Sequence, residues 1–289
     1  MQIPFVKCQS VGNDFILVDQ EDLRQDNENL VNLLPDLARV LCQRRFGPGA
    51  DGLLVIERLA EGPILKTFNA DGTSDFCMNG LQCLALHLHQ QKIISFESVI
   101  EQLGRKVPVR IWEDGFVESL VPSASFRPED VPLREDLPEL FMTPISILGC
   151  ELVVSALTTG TTHVVIFEDL LPEEERFFKL SKLLEHHSYF PDRASIIWAT
   201  QQSEREIRVR IWERGVGETL GCGTGSVATA AVWSRWKNIR GDLEILSPGG
   251  STFVRIDQWD QPVSVRTRPQ KVFTGQFDFD LKTVASPEV

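Results

Sequence analysis

Along this chain, short apolar runs alternate with polar or glycine-bearing breaks, and the spacing inside each run predicts the element it builds. Residues 64–68 and 207–212 read as extended, the second alternating arginine with apolar side chains as a half-buried strand does. Each leads through a glycine-containing loop to a cysteine, then to a stretch of helical spacing, 81–91 in one case and 226–236 in the other. In the second stretch Val227, Ala230, Ala231 and Ser234 recur at helical intervals, and their small size suits a helix threaded closely between sheets. A strand, a turn and a strand follow each helix, around Gly104 and around Pro248-Gly249-Gly250. Residues 122–140, rich in Pro, Glu and Asp, read as a surface connection. The expected class is α/β of the strand-rich, α+β kind.

The pattern occurs twice because the sequence does. Gly72, Cys77, Gly80 and Ala85 recur as Gly217, Cys222, Gly225 and Ala230, and Gly104, Val109, Arg110 and Ile111 recur as Gly249, Val254, Arg255 and Ile256, all at one constant offset. At a slightly different offset, the run from Gly12-Asn13-Asp14-Phe15 to Asp19 resembles the run from Gly160-Thr161-Thr162-His163 to Phe167. Two homologous domains related by a pseudo-twofold are therefore expected, 1–121 and 122–267, with 268–289 packing back on the first.

Bulk properties narrow the classes. The chain has 289 residues, 42% hydrophobic and 24% charged, enough for two globular domains. No apolar run approaches the roughly 20 residues of a membrane span, and the N-terminus lacks signal-peptide character, so no membrane partner and a cytoplasmic location are expected. A net charge of −12 repels phosphate backbones, so no nucleic-acid partner is expected either. Six scattered cysteines with no Cys-x-x-Cys pair disfavour both a disulfide scaffold and a zinc site, and no metal is expected.

The duplication singles out Cys77 and Cys222. Each sits just ahead of a predicted helix with a glycine three residues on, where free N–H groups and the positive end of the helix dipole stabilise a thiolate or hold a carboxylate. A thiol in that place is expected to be more acidic than a free cysteine. Cys8, Cys42, Cys83 and Cys150 are expected to be small buried hydrophobes. If the pseudo-twofold brings the two helix mouths together, two acid-base groups face one carbon, which suits inversion at Cα: one group removes the hydrogen from one face, the other delivers a proton to the opposite face. Without a pyridoxal cofactor the carbanion charge falls on the substrate carboxylate, which two helix N-termini would stabilise.

At these residues the sequence resembles the diaminopimelate epimerase family. The resemblance is carried by Phe68-Asn69-Ala70-Asp71-Gly72-Thr73 with Cys77-Met78-Asn79-Gly80, by the run from Glu213-Arg214-Gly215 to Gly221-Cys222-Gly223-Thr224-Gly225, and by Gly12-Asn13-Asp14-Phe15 and Gly49-Ala50-Asp51-Gly52-Leu53. It covers essentially the whole chain. It implies two similar domains, each a curved, mostly antiparallel sheet around a central helix, with the active site in the cleft between them and no cofactor. It implies that Cys77 and Cys222 are the bases, tuned by His163 and Glu213. It further implies that the backbone at Met78-Asn79 and Gly223-Thr224 holds the reacting carboxylate, and that Asn13, Gly52, Asn69 and Arg214 serve the small amino-acid substrate. The assembly expected with it is a homodimer.

Taken without the resemblance, His163 reads equally as a structural histidine, Glu213 and Arg214 as a surface pair, and Asn13 and Asn69 as turn residues. The chain also departs from the family pattern. Met78 replaces a glycine, one residue fewer separates Gly72 from Cys77, and Gln82 replaces an arginine. Thr161 and Ser195 stand where asparagines contact the distal end of diaminopimelate. Four readings follow: diaminopimelate epimerase, a racemase of another amino acid such as histidine, a non-catalytic amino-acid-binding paralogue, and a thiol redox protein.

Overall fold

A computed structural model of the chain describes residues 2–26, 28–134 and 137–280. They form two compact units, one comprising residues up to 119 together with those from 267 onward, the other residues 120–266.

The first unit contains β1 (Gln2–Ser10), β2 (Asn13–Asp19), α1 (Gln20–Asp26), α2 (Leu34–Leu41), β3 (Gly52–Leu59), β4 (Gly62–Asn69), α3 (Met78–Gln90), β5 (Glu97–Gln102), β6 (Arg105–Ile111) and the start of β7 (Val117–Val121). The second contains β8 (Thr143–Ile147), β9 (Cys150–Thr158), β10 (Thr162–Phe167), α4 (Glu174–Glu185), β11 (Ser195–Gln201), β12 (Glu206–Glu213), β13 (Gly217–Thr219), α5 (Gly223–Lys237), β14 (Gly241–Ser247), β15 (Gly250–Ile256) and most of β16 (Val263–Thr267). The last strand, β17 (Gln270–Asp278), belongs to the first unit and pairs antiparallel with β1; residues 281–289 lie outside the described chain.

Both units use one wiring. Most neighbouring strands are antiparallel, but β2 with β3 and β4 with β5 are parallel in the first unit, as are β10 with β11 and β12 with β14 in the second. A parallel pair needs a crossover, and each of these four has a helix in it. The duplicated sequence therefore folds as a duplicated, sheet-dominated α+β topology.

Because successive side chains of a strand point to opposite faces, the apolar runs of β2 and β3 supply two cores. Phe15, Leu17, Leu54 and Ile56 pack toward Leu81, Leu84 and Leu88 of α3, whereas Ile16, Val18, Leu53 and Val55 pack with Leu37 and Leu41 of α2. In the second unit, Val164, Ile166, Ile196 and Trp198 pack with Phe177, Leu180 and Leu184 of α4, and α5 packs on β10, β11, β14 and β15. From Gly223 to Ser234 every residue of α5 except Thr224 is buried. A helix buried all round must be small or apolar all round, and its hydroxyls turn inward: Ser226 and Thr229 each donate to the carbonyl four residues back, at 2.9 Å.

Two expectations are corrected. Residues 122–140 are not merely a surface connection: Phe126, Val131 and Leu140 are buried, and Ser125 forms a bridge with Thr158. Prolines and carboxylates dominate the composition of that segment, but its few apolar side chains are what the second unit needs to close its core; residues 135 and 136 lie outside the described chain. Cys150, expected inside, is exposed because the tight turn that starts β9 leaves it on the surface, while Cys8, Cys42 and Cys83 are buried.

The first unit also hides a polar group at its heart. Gln82, fully buried on α3, donates to the Val117 carbonyl (3.2 Å) and to Ser119 Oγ (3.1 Å), and its Oε1 accepts from Thr267 Oγ1 at 2.6 Å, which in turn accepts from Ser10 Oγ at 2.7 Å. One amide thus ties the strands on which the chain leaves and re-enters the unit. Gln82→Leu leaves several buried partners unsatisfied and is expected to cost about 2 kcal/mol or more, read as a lowered urea midpoint with unchanged slope.

Candidate active site

Both helices begin at their cysteine. Cys77 is the N-cap of α3 in an extended conformation, its Sγ accepting the N–H of Gly80 at 3.3 Å; Cys222 is the N-cap of α5, its Sγ accepting from Gly225 at 3.4 Å. The helices start three residues earlier than periodicity predicts, because a thiol does here what a Ser or Asp oxygen does at other N-caps. Glycine at the third helical position is a packing demand as well. A Cβ at Gly80 would come within 2.6 Å of Leu54 and 3.3 Å of Cys77 Sγ, and one at Gly225 within 2.9 Å of Ile197. With the third amide bound to sulfur and the fourth to the cap carbonyl, the N–H groups of Met78 and Asn79, and of Gly223 and Thr224, are those that helix geometry leaves pointing out of each mouth.

In the second unit the expected site residues converge. His163 opens onto β10, buried, with Nδ1 2.8 Å from the Thr161 carbonyl. A carbonyl only accepts, so Nδ1 carries the hydrogen and Nε2 is the acceptor of a neutral ring. Thr224 Oγ1 lies 3.3 Å from Nε2 and 3.3 Å from Cys222 Sγ. Thr224 thus stands between Cys222 and His163, within hydrogen-bond distance of both. Its hydroxyl bond to the sulfur favours the thiolate, whereas the hydrogen bond between the thiol and the Glu213 carboxylate favours the thiol. Thr159 closes this group from behind, its Oγ1 donating to the Thr224 carbonyl at 3.4 Å and standing 3.3 Å from His163 Nδ1. Glu213, at the end of β12, accepts from Thr219 Oγ1 at 2.6 Å and raises the pKa of Cys222 through its charge. Ser195 is paired with His163 across β10 and β11, and its hydroxyl accepts the Arg214 N–H at 3.0 Å, leaving its own hydrogen to donate elsewhere.

The electrostatics overturn one expectation. Burial pushes the Cys222 thiol well above the ordinary cysteine value, the Glu213 carboxylate pushes it further, and the bonds from Thr224 and Gly225 only partly oppose them. Desolvation outweighs the helix mouth, and Cys222 rests as a neutral thiol. The same cause sends buried Cys42 up to about 12, in keeping with its structural role. Burial, with Arg214 nearby, lowers His163 to about 4 against the pull of the Thr161 carbonyl.

In the first unit, Asn13, Gly52 and Asn69 stand at the ends of adjacent strands: Gly52 is paired with Phe15 of β2 on one side and with Asn69 of β4 on the other. Gly52 has no room for a side chain, since a Cβ would meet the Phe68 carbonyl at 2.9 Å. Asn69 donates from Nδ2 to Thr73 Oγ1 at 3.0 Å and so builds its turn, whereas the Oδ1 atoms of Asn13 and Asn79 are buried with no hydrogen-bond partner. Sequence reading missed the charges that hold this end of the sheet. Buried Lys7 pairs with Asp14 at 2.5 Å, and Arg44 Nη2 spans Asp14 and Asp51 at 2.7 Å each. Burial works against ionisation of Asp14, yet the hydrogen bonds from Arg44 and Lys7 hold it at about 2. Lys7 and Asp14 are near neighbours in the chain, as are Arg44 and Asp51, but 30 positions separate Asp14 from Arg44, and only the fold joins the two pairs. Among the described residues, no group of three His, Cys, Asp or Glu side chains is arranged to hold a metal ion.

The depressed His163 has a consequence for stability. Its folded pKa of about 4 lies below the roughly 6.5 of an unfolded histidine, so between these values the unfolded chain binds the extra proton. The contribution is complete above about pH 6.5 and is lost as the pH falls toward 4, a change on the order of 3 kcal/mol. His163→Gln is expected to flatten that part of the stability profile, measured by denaturant unfolding at a series of pH values.

The chain is similar to known proteins in sequence and in fold. The family model for diaminopimelate epimerase matches residues 155–272. The diaminopimelate epimerase of Carboxydothermus hydrogenoformans is 32% identical over 277 residues, covering 94% of this chain and 98% of the relative. That of Synechococcus sp. (strain JA-2-3B'a(2-13)) is 33% identical over 285 residues, covering 95% and 98%. Among solved structures, a hydroxyproline epimerase from Agrobacterium vitis aligns with a TM-score of 0.66 at 12% identity, covering 96% of this chain and 91% of that one. A PhzF-family phenazine biosynthesis protein from Bacillus anthracis aligns with 0.64 at 15%, covering 96% and 100%; at such identities the likeness is one of fold. With near-complete coverage at about a third identity, the chain belongs to the diaminopimelate epimerase family of isomerases.

Proposed function

We propose that this chain epimerises diaminopimelate, LL to meso, without pyridoxal phosphate or metal, with Cys77 and Cys222 as the two acid-base groups. One observation carries the reading: in each unit a thiol caps a helix whose next two amides are left for a ligand. A carboxylate held by Met78-Asn79 and Gly223-Thr224 amides would take up the charge that develops when Cα–H is broken. Inversion requires one thiolate and one thiol addressing opposite faces of Cα. Cys222, neutral at rest, suits the donor, and Thr224 and Glu213 are both hydrogen-bonded to its thiol. In this reading Glu213 tunes the Cys222 thiol and Arg214 contacts the substrate. We place the enzyme in the cytoplasm, in the synthesis of lysine, as a homodimer. The half-exposed Val272 and Phe273 of β17 offer apolar surface for pairing.

A second reading rests on Thr161 and Ser195, which replace distal asparagines: the same chemistry directed at another amino acid. No helix among the described residues is long and apolar enough to cross a membrane.

Two experiments bear on these readings. Cys77→Ser and Cys222→Ser are each expected to abolish inversion of diaminopimelate while leaving some Cα exchange in D₂O from one stereoisomer, followed by chiral chromatography and mass; near-normal inversion by either variant would rule out two-base chemistry. Thr161→Asn combined with Ser195→Asn is expected to change the ratio of kcat/KM for diaminopimelate to that for other amino acids by at least about tenfold, or about 1.4 kcal/mol of differential transition-state binding. An unchanged ratio in a folded, active double variant would remove both positions from substrate recognition.

A further inference from the structure

The turn between β12 and β13 carries Glu213 and Arg214, and its own sequence makes it loose. Gly215 and Gly217 both adopt left-handed backbone (φ 76° and 101°), and Val216 between them is exposed. Such a turn has little intrinsic order. Beneath it lies Glu185, the last residue of α4, whose side chain is only 5% exposed. Its Oε1 accepts the Gly215 N–H at 2.8 Å and lies 3.5 Å from Arg193 Nη1, its Oε2 accepts from Trp212 Nε1 at 2.7 Å, and His186 Nδ1 stands 4.0 Å away. Its main-chain carbonyl accepts the Ala194 N–H at 3.3 Å, which fixes the residue before Ser195. Ser195 Oγ then accepts from Arg214 N–H. Every group presented to this buried carboxyl is a donor, and only an acceptor at both oxygens satisfies them.

We infer that Glu185 is a positioning residue that locks the Glu213–Gly217 turn and so fixes the Glu213 carboxylate against Thr219 and Cys222. It acts through the turn's backbone and touches no reacting atom. The inference rests on the two-cysteine reading for its importance to turnover, but its geometry stands without a substrate. An amide in place of the carboxyl is not a conservative change here: Gln presents N–H₂ toward either Gly215 N–H or Trp212 Nε1–H, and donor then faces donor.

The test uses the full chain with Glu185→Gln and Glu185→Ala, read by pH-dependent iodoacetamide labelling of Cys222 and Cys77 in the same sample, with peptide mass spectrometry to separate the two thiols. Release of the turn moves the Glu213 charge off Cys222 and opens the site. Cys222 is therefore expected to label about threefold faster or more at a given pH, with its profile displaced to lower pH, while Cys77 keeps its wild-type profile and serves as internal control. For diaminopimelate, kcat is expected to fall about ten- to a hundredfold with KM changed much less. A folded E185Q with wild-type Cys222 labelling and kcat overturns the inference. So does an E185Q that fails to fold, since Glu185 would then hold the unit together rather than the turn; failure of Glu185→Ala alone leaves E185Q to decide. Labelling needs no turnover, so a failure here is distinguishable from a failure of two-base chemistry, which the serine variants test.

Discussion

The whole arrangement depends on a sulfur atom taking the place of an oxygen at a helix N-cap. Cys77 and Cys222 each spend one lone pair on the amide three residues on. That contact starts the helix, seats the thiol, and leaves the first two amides without an intrahelical partner. It also forces glycine at the third position, because Leu54 in one unit and Ile197 in the other already occupy the space a side chain would need. Packing, capping and a place for an anion are thus one feature of each unit.

What distinguishes the units is how each thiol is surrounded. The strand position filled by His163 in the second unit is filled by Phe15 in the first, both being paired with the first residue of the neighbouring parallel strand, Ser195 and Gly52. Thr224, two residues past Cys222, corresponds to Asn79, two residues past Cys77. The second unit therefore builds a line of hydroxyl and imidazole behind its thiol, while the first has an aromatic ring on β2 and a buried, unpartnered amide oxygen on α3. Duplication supplied two equal frames, and a few substitutions gave their thiols unequal surroundings.

Burial sets the protonation of the second frame. The helix mouth favours a thiolate, but Cys222 is shut away from water with a carboxylate beside it, and those two effects prevail. His163 is neutral for the same reason. A row of neutral groups costs little to bury, whereas a standing ion pair would need compensation by further partners.

The sequence by itself determined the duplication, the strand-rich class, the two capping cysteines and their family, because these rest on local spacing: period two in strands, helical intervals after each cysteine, glycine at a fixed step. It also placed His163, Glu213, Arg214 and Ser195 among the residues of interest through the repeat and the resemblance. Tertiary structure alone decided the rest. Thr224 became the link between Cys222 and His163 only once β10 and α5 packed together, and Lys7, Arg44 and Asp51 met around Asp14 only once β1, β2 and the loop before β3 closed. The neutrality of Cys222 likewise could not be read from its place at a helix start, nor the exposure of Cys150 from its residue type. Desolvation and side-chain hydrogen bonding are set by residues distant in the chain, and a linear pattern carries no record of which of them arrive.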